Sequence, residues 1–112
     1  MDIKFRSKKL ANILNSEHEL RRTYGKDMGE TIENRLKVLK AASCLEEVPK
    51  VKPERMHALS GERKGHYAVD LKHPYRLIFK PNVIPLPKKP DGSVDLAQIR
   101  EIIILEVTDY HH

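Results

Sequence analysis

The chain has one cysteine, Cys44, in 112 residues. A lone thiol cannot form an internal disulfide, which excludes the stapled secreted scaffolds and fits a reducing cytoplasm. No apolar run is long enough to cross a membrane, and the opening MDIKFRSKKL lacks the apolar stretch of a signal peptide. A cytoplasmic chain without a membrane partner is therefore expected. GxSxG, HExxH and Walker-type glycine loops are missing, which removes the best-marked hydrolase, zinc-protease and nucleotide sites. His57, His66, His73 and His111 lack tight paired spacing, so structural zinc is not expected, nor is any other cofactor. Internal repeats and a disordered tail are also missing.

What remains is a basic chain of single-domain size. Its length allows one domain, 1–112, and not two. At 39% hydrophobic it can bury a modest core, and at 33% charged its surface is well solvated. The net charge is +5, and its distribution says more than its size. Residues 50–80 carry eight bases (Lys50, Lys52, Arg55, Arg63, Lys64, Lys72, Arg76, Lys80) against three acids (Glu54, Glu62, Asp70), which accounts for the whole excess. Such a field suits RNA, DNA or an acidic protein partner. Charge alone favours a solvated basic face.

Hydrophobic spacing gives the order of elements. DIKFR alternates Ile3 and Phe5 with polar residues, as a half-buried strand does. Ser7 can cap a helix in which Leu10, Ile13, Leu14, Leu20 and Tyr24 recur. Ser16 and Glu19 are spaced as a second capping box, so residues 7–24 form one long helix or two short ones, ended by Gly25. Asp27 is placed to cap a further helix to residue 42, with Met28, Ile32, Leu36 and Leu39 as its apolar stripe. Pro49 and Pro53 mark a linker. RMHAL, residues 66–71 and residues 75–80 then read as strands separated by the SGERKG and KHP turns. Tyr75, Leu77 and Phe79 share one face, and Arg76, Ile78 and Lys80 the other. A proline-rich stretch follows, DLAQI suits a helical turn, and REIIILEV reads as a central strand covered on both faces. The sum is an α+β domain with helices packed on an antiparallel sheet.

On that reading His57 sits at the mouth of the SGERKG turn, Arg76 is an exposed strand arginine, and Asp109, Tyr110 and His111 leave the end of the last strand. Together they could cut RNA without a metal. Histidines suit the two proton transfers near neutral pH, and an arginine can stabilise charge building on phosphate. A tyrosine can stack on a base. Taken singly, each has a bland account. Arg76 pairs with Asp70 or Glu106, His57 bonds to backbone, and Tyr110 is an edge aromatic.

MHALSGERKGHYAVDLKHPYRLIF and the final EVTDYH resemble the HigB-like branch of the RelE/ParE toxin superfamily. That branch carries a pattern close to H-x-L-K-G-x-R-x-G, a strand ending R-L-I-F, and D-Y-H. The resemblance extends over nearly the whole chain, IKFRSKKL included. It implies a RelE/ParE-like fold, with an N-terminal strand and helical hairpin packed on a mainly antiparallel sheet. It also implies a small type II toxin that enters the ribosomal A site and cleaves mRNA there without a metal. The partner would be an antitoxin, a helix-turn-helix protein encoded by a neighbouring gene, and operator DNA would be met only through it. By motif match the working residues fall on His57, Arg63, Arg76, Asp109, Tyr110 and His111. Arg76 would stabilise the phosphate, with Arg63 helping. His57 and His111 would be acid and base in either order, Tyr110 would orient or stack on a base, and Asp109 would hold a neighbour. Ser60, Lys64 and Lys80 would contact RNA beside Arg63. The branch often has lysine where this chain has Ser60, and nearby Lys64 could supply that charge. Residues 81–92 are longer than a tight hairpin, and His112 lies outside the motif.

Two other functions share the resemblance. A ParE-like protein would inhibit DNA gyrase by binding, for which an acid, a base and a phosphate clamp are not needed. A decayed toxin would only bind its antitoxin, a reading that Ser60 keeps open.

Overall fold

The structure, a computed structural model, describes residues 1–109. Tyr110, His111 and His112, expected above to matter or to be an appendage, lie outside the described residues. Strand β1 spans Asp2–Phe5. Helix α1 spans Lys8–Leu14, α2 Glu17–Tyr24 and α3 Lys26–Ala41. Strands β2 (His57–Ala58), β3 (Tyr67–Asp70), β4 (Tyr75–Pro81) and β5 (Glu101–Asp109) complete a sheet of order β1-β5-β4-β3-β2. Only β1–β5 is parallel; the other pairings are antiparallel.

Two serine caps divide the first helical region. The Ser7 hydroxyl accepts from the Leu10 N–H and the Ser16 hydroxyl from the Glu19 N–H, each at 3.1 Å. Each cap satisfies a first-turn donor that has no helical partner, so two short helices form instead of one long one. Gly25, at φ 86°, ends α2 and also stands at the start of α3. That leaves no position for the expected Asp27 cap. Asp27 falls inside the first turn of α3, which has no side-chain cap, and its carboxylate favours the positive end of the helix instead.

The helices cover one face of the sheet. Ile32, Leu36 and Leu39 of α3 meet Val69, Leu77, Phe79, Ile102 and Ile104 in one buried cluster, and Met28 packs at its margin. Tyr67 and Phe79 stack there with ring centroids 6.1 Å apart. Burying each large side chain contributes about 1.5–3 kcal/mol. Tyr75 belongs to the same alternation but is 40% exposed, because it lies at the start of β4, opposite the last residue of β5.

β5 departs from expectation in one respect. It is interior, as expected, yet Ile103 and Leu105 are only half-buried. The register explains this: Ile78 faces Glu106 while Phe79 faces Ile104, so Leu105 is an extra residue in a bulge. Before the bulge, Ile102 and Ile104 point to the core. After it, the even-numbered Glu106 and Thr108 fall opposite Ile78 and Arg76, on the face without helices.

α3 crosses α2 at close range. A Cβ on Gly29 would stand 3.3 Å from backbone atoms of Leu20 and Arg21. Gly29→Leu is expected to force the helices apart and to cost roughly 1–3 kcal/mol, the usual penalty for overpacking. Urea unfolding of the two proteins checks this.

Candidate RNA-binding and cleavage site

The helix-free face is a grid set by strand register. Its middle row runs His57, Ala68, Ile78, Glu106 across β2 to β5. One row away lie Asp70, Arg76 and Thr108. The row on the other side holds Lys80 opposite Ile103, with His66 immediately before β3. Ala68 and Ile78 are fully buried and form a small apolar floor. Charged and titratable groups surround that floor.

An open cleft of about 620 Å³ lies over this face, lined by His57, Ala58, Leu59, Ser60, Glu62, Arg63 and Arg76. Its outer wall is the SGERKG turn, closed by the Leu59 N–H donating to His66 O at 2.9 Å and the His66 N–H donating to Arg63 O at 2.9 Å. Residues 61–63 form one 3₁₀ turn, which carries Arg63 back over the sheet. There the Arg63 guanidinium meets the Glu106 carboxylate at 3.1 Å. Both side chains are about one-third exposed, so the pair is worth at most about 1 kcal/mol, but it ties the turn to β5.

His57 is half-buried, and its Nδ1 lies 2.8 Å from the Arg55 carbonyl. A carbonyl only accepts, so Nδ1 must carry a proton and the neutral ring offers its lone pair at Nε2. Arg76 is half-buried as well, not the exposed arginine expected from alternation. Asp70 stands opposite it on β3, and Ile78 lies two residues further along its own strand.

The remaining candidates are spread around the cleft. Ser60 is exposed and lines it, while Lys64 is exposed on the same turn outside the lining. Lys80 is exposed on the same sheet face, further from Arg76. Asp109 lies opposite Tyr75, one step out of phase with Arg76 and Thr108. Among the described residues no group of His, Cys, Asp or Glu is placed to hold a metal, and no helix is long and apolar enough to cross a membrane.

Three residues of the face were given no role at the site by the sequence reading. The carboxylates of Asp70 and Glu106 hold Arg55 and Arg63. An acid inside IIILEV was the available signal for Glu106. His66 could have been found by alternation through HYAVD, which puts it in phase with Ala68. Its pKa is lowered from the usual 6.5, first by burial and then by the positive charges of Lys80 and Arg63, with Glu106 opposing. Its Nδ1 is buried without a hydrogen-bond partner among the described residues.

No family model matches the chain, and no curated protein matches it in sequence. Among solved structures, a YoeB/ParE toxin from Agrobacterium tumefaciens is similar, with a TM-score of 0.57 and 11% identity over 99% of this chain and 100% of that one. At that identity the likeness defines the fold. The molecule is a mixed α+β domain whose fold matches that of the YoeB/ParE toxin, the architecture that the resemblance implied.

His66 makes stability depend on pH. The folded protein disfavours its protonated form, while the unfolded chain takes up a proton as pH falls through about 6.5. This contribution is therefore complete above that pH and declines below it, until the folded ring protonates too. His66→Gln is expected to flatten the acid-side fall in Tm, and Lys80→Met to reduce it. Thermal melts between about pH 7.5 and about pH 5 check both.

Proposed function

We propose that this chain is the toxin of a type II toxin–antitoxin pair, of the HigB-like branch, and that it cleaves mRNA on the ribosome. The observation that carries the reading is the cleft in which His57, Arg63 and Arg76 meet over a basic sheet face. The toxin fold supports the class, and the histidine–arginine cleft favours cutting over contact inhibition. Arg76 stabilises the charge that builds on the scissile phosphate, where a fixed cation is most effective. Arg63, Lys80 and the exposed Lys64 and Ser60 hold ribosomal and messenger RNA through its backbone. His57 and His111 share the proton transfers, Tyr110 orients a base, and Asp109 steadies its neighbours. The protein works in the cytoplasm and is silenced by a helix-turn-helix antitoxin.

Induced expression without antitoxin is expected to arrest growth and to create new mRNA ends. Arg76→Ala should relieve the arrest, with cleavage on programmed ribosomes falling roughly a hundred- to a thousand-fold. Its Tm should fall only slightly, because Arg76 lies at the border of the apolar floor. DNA-damage signals without new mRNA ends would identify a gyrase inhibitor instead. Neither signal would identify a decayed toxin.

Truncation tests the final residues. Removing His112 alone should leave cleavage unchanged. Removing His111 and His112 should slow it roughly a hundred- to ten-thousand-fold, the usual loss for one general acid or base. Single-turnover cleavage by both truncations measures this.

A further inference from the structure

Arg55 is the only non-glycine residue with positive φ among the described residues, at 43°. An L side chain avoids that conformation because its Cβ crowds the following carbonyl. An arginine is held there only if its surroundings insist on it. The surroundings here are Asp70. Arg55 Nε donates to Asp70 Oδ2 at 2.6 Å and Nη2 to Oδ1 at 2.9 Å, a two-pronged clamp. Asp70 is itself fixed through its main chain. Its N–H donates to Glu54 O at 2.8 Å, and Arg35 Nε, from α3, donates to Asp70 O at 2.6 Å. The Arg55 N–H donates to Val51 O at 2.9 Å. The carbonyl that this arrangement turns outward is the one facing His57 Nδ1 at 2.8 Å.

We propose that Asp70 and Arg55 are positioning residues for His57: the clamp holds the Arg55 carbonyl where it accepts the Nδ1 proton, leaving Nε2 of the neutral ring as a proton acceptor. An unrestrained imidazole in water prefers its proton on Nε2, which would place a donor where an acceptor is needed. The clamp reverses that preference and fixes the ring plane. The catalytic consequence rests on the nuclease reading above. On that reading His57 is the general base. Nε2 takes the proton from the ribose 2′-OH as its oxygen bonds to phosphorus. The bond from phosphorus to the 5′-oxygen breaks, and a separate acid protonates the departing oxygen. Neither Asp70 nor Arg55 needs to touch RNA.

The test uses the full chain, Asp70→Asn and Arg55→Gly. Asparagine keeps the shape of Asp70 and loses its charge. Glycine accepts the positive φ, so the turn survives while the guanidinium is lost. Long-range ¹H–¹⁵N spectra of the His57 ring report its tautomer independently of any activity. Single-turnover cleavage and ribosome affinity are measured alongside, with Tm as the folding control. The expected result is an Nδ1–H ring in the unchanged protein and an Nε2–H majority in both variants. The cleavage rate should drop at least tenfold in both, with ribosome affinity unchanged. An Nε2–H ring in the unchanged protein, or the same tautomer in all three, would overturn the inference. So would a changed tautomer with undiminished cleavage. If the tautomer shifts as expected and the unchanged protein cuts no message, the nuclease reading fails and the positioning stands.

Discussion

One extra residue in β5 decides which side chains can meet over the sheet. Without the Leu105 bulge, alternation from Ile102 and Ile104 would carry Glu106 into the core beneath the helices. An unpaired carboxylate there costs several kcal/mol or protonates. The bulge re-phases the strand, so that Val107 packs against the core and Glu106 lies beside Ile78 on the open face. From that place Glu106 reaches Arg63 and anchors the turn that walls the cleft. The same shift brings Thr108 opposite Arg76.

The open face is electrostatically divided. Two acids, Asp70 and Glu106, each hold an arginine from outside the central strands, Arg55 and Arg63. These pairs fix backbone segments that no hydrophobic residue could fix on a solvated face. Lys80 remains exposed, and with Arg63 it raises the cost of charging His66. A face built this way presents positive charge while Asp70 and Glu106 are already engaged.

Sequence patterns made much of this fold legible. Alternation in DIKFR and YRLIFK, the stripe through α3 and the two serine caps depend on local spacing, and local spacing is what a sequence displays. The Asp27 cap was misplaced because one glycine ends α2 and opens α3, a geometry that residue preferences do not reveal. The bulge was hidden because IIILEV reads equally well as a strand covered on both faces. At the site, alternation and motif together marked His57 and Arg76. The Asp70–Arg55 clamp had no local signal, since it joins a strand end to a loop through a strained backbone. Asp109 reads as a motif member, but its register depends on a bulge four residues earlier.

The parallel pairing of β1 with β5 sets Asp2 opposite Glu101 and Phe5 opposite Ile104. Strand β1 therefore has no partner until β5, far along the chain from it, emerges. Until then Ile3 and Phe5 present an unpaired edge that can bind other chains as readily as its own. Contacts this distant in sequence are also slow to form, because the intervening chain must be ordered first. The helices can gather early through their short-range packing, whereas closure of the sheet waits for β5. Any nascent form cut short before Glu101 would carry the helical layer and most of the cleft lining, yet lack the strand that locks them together.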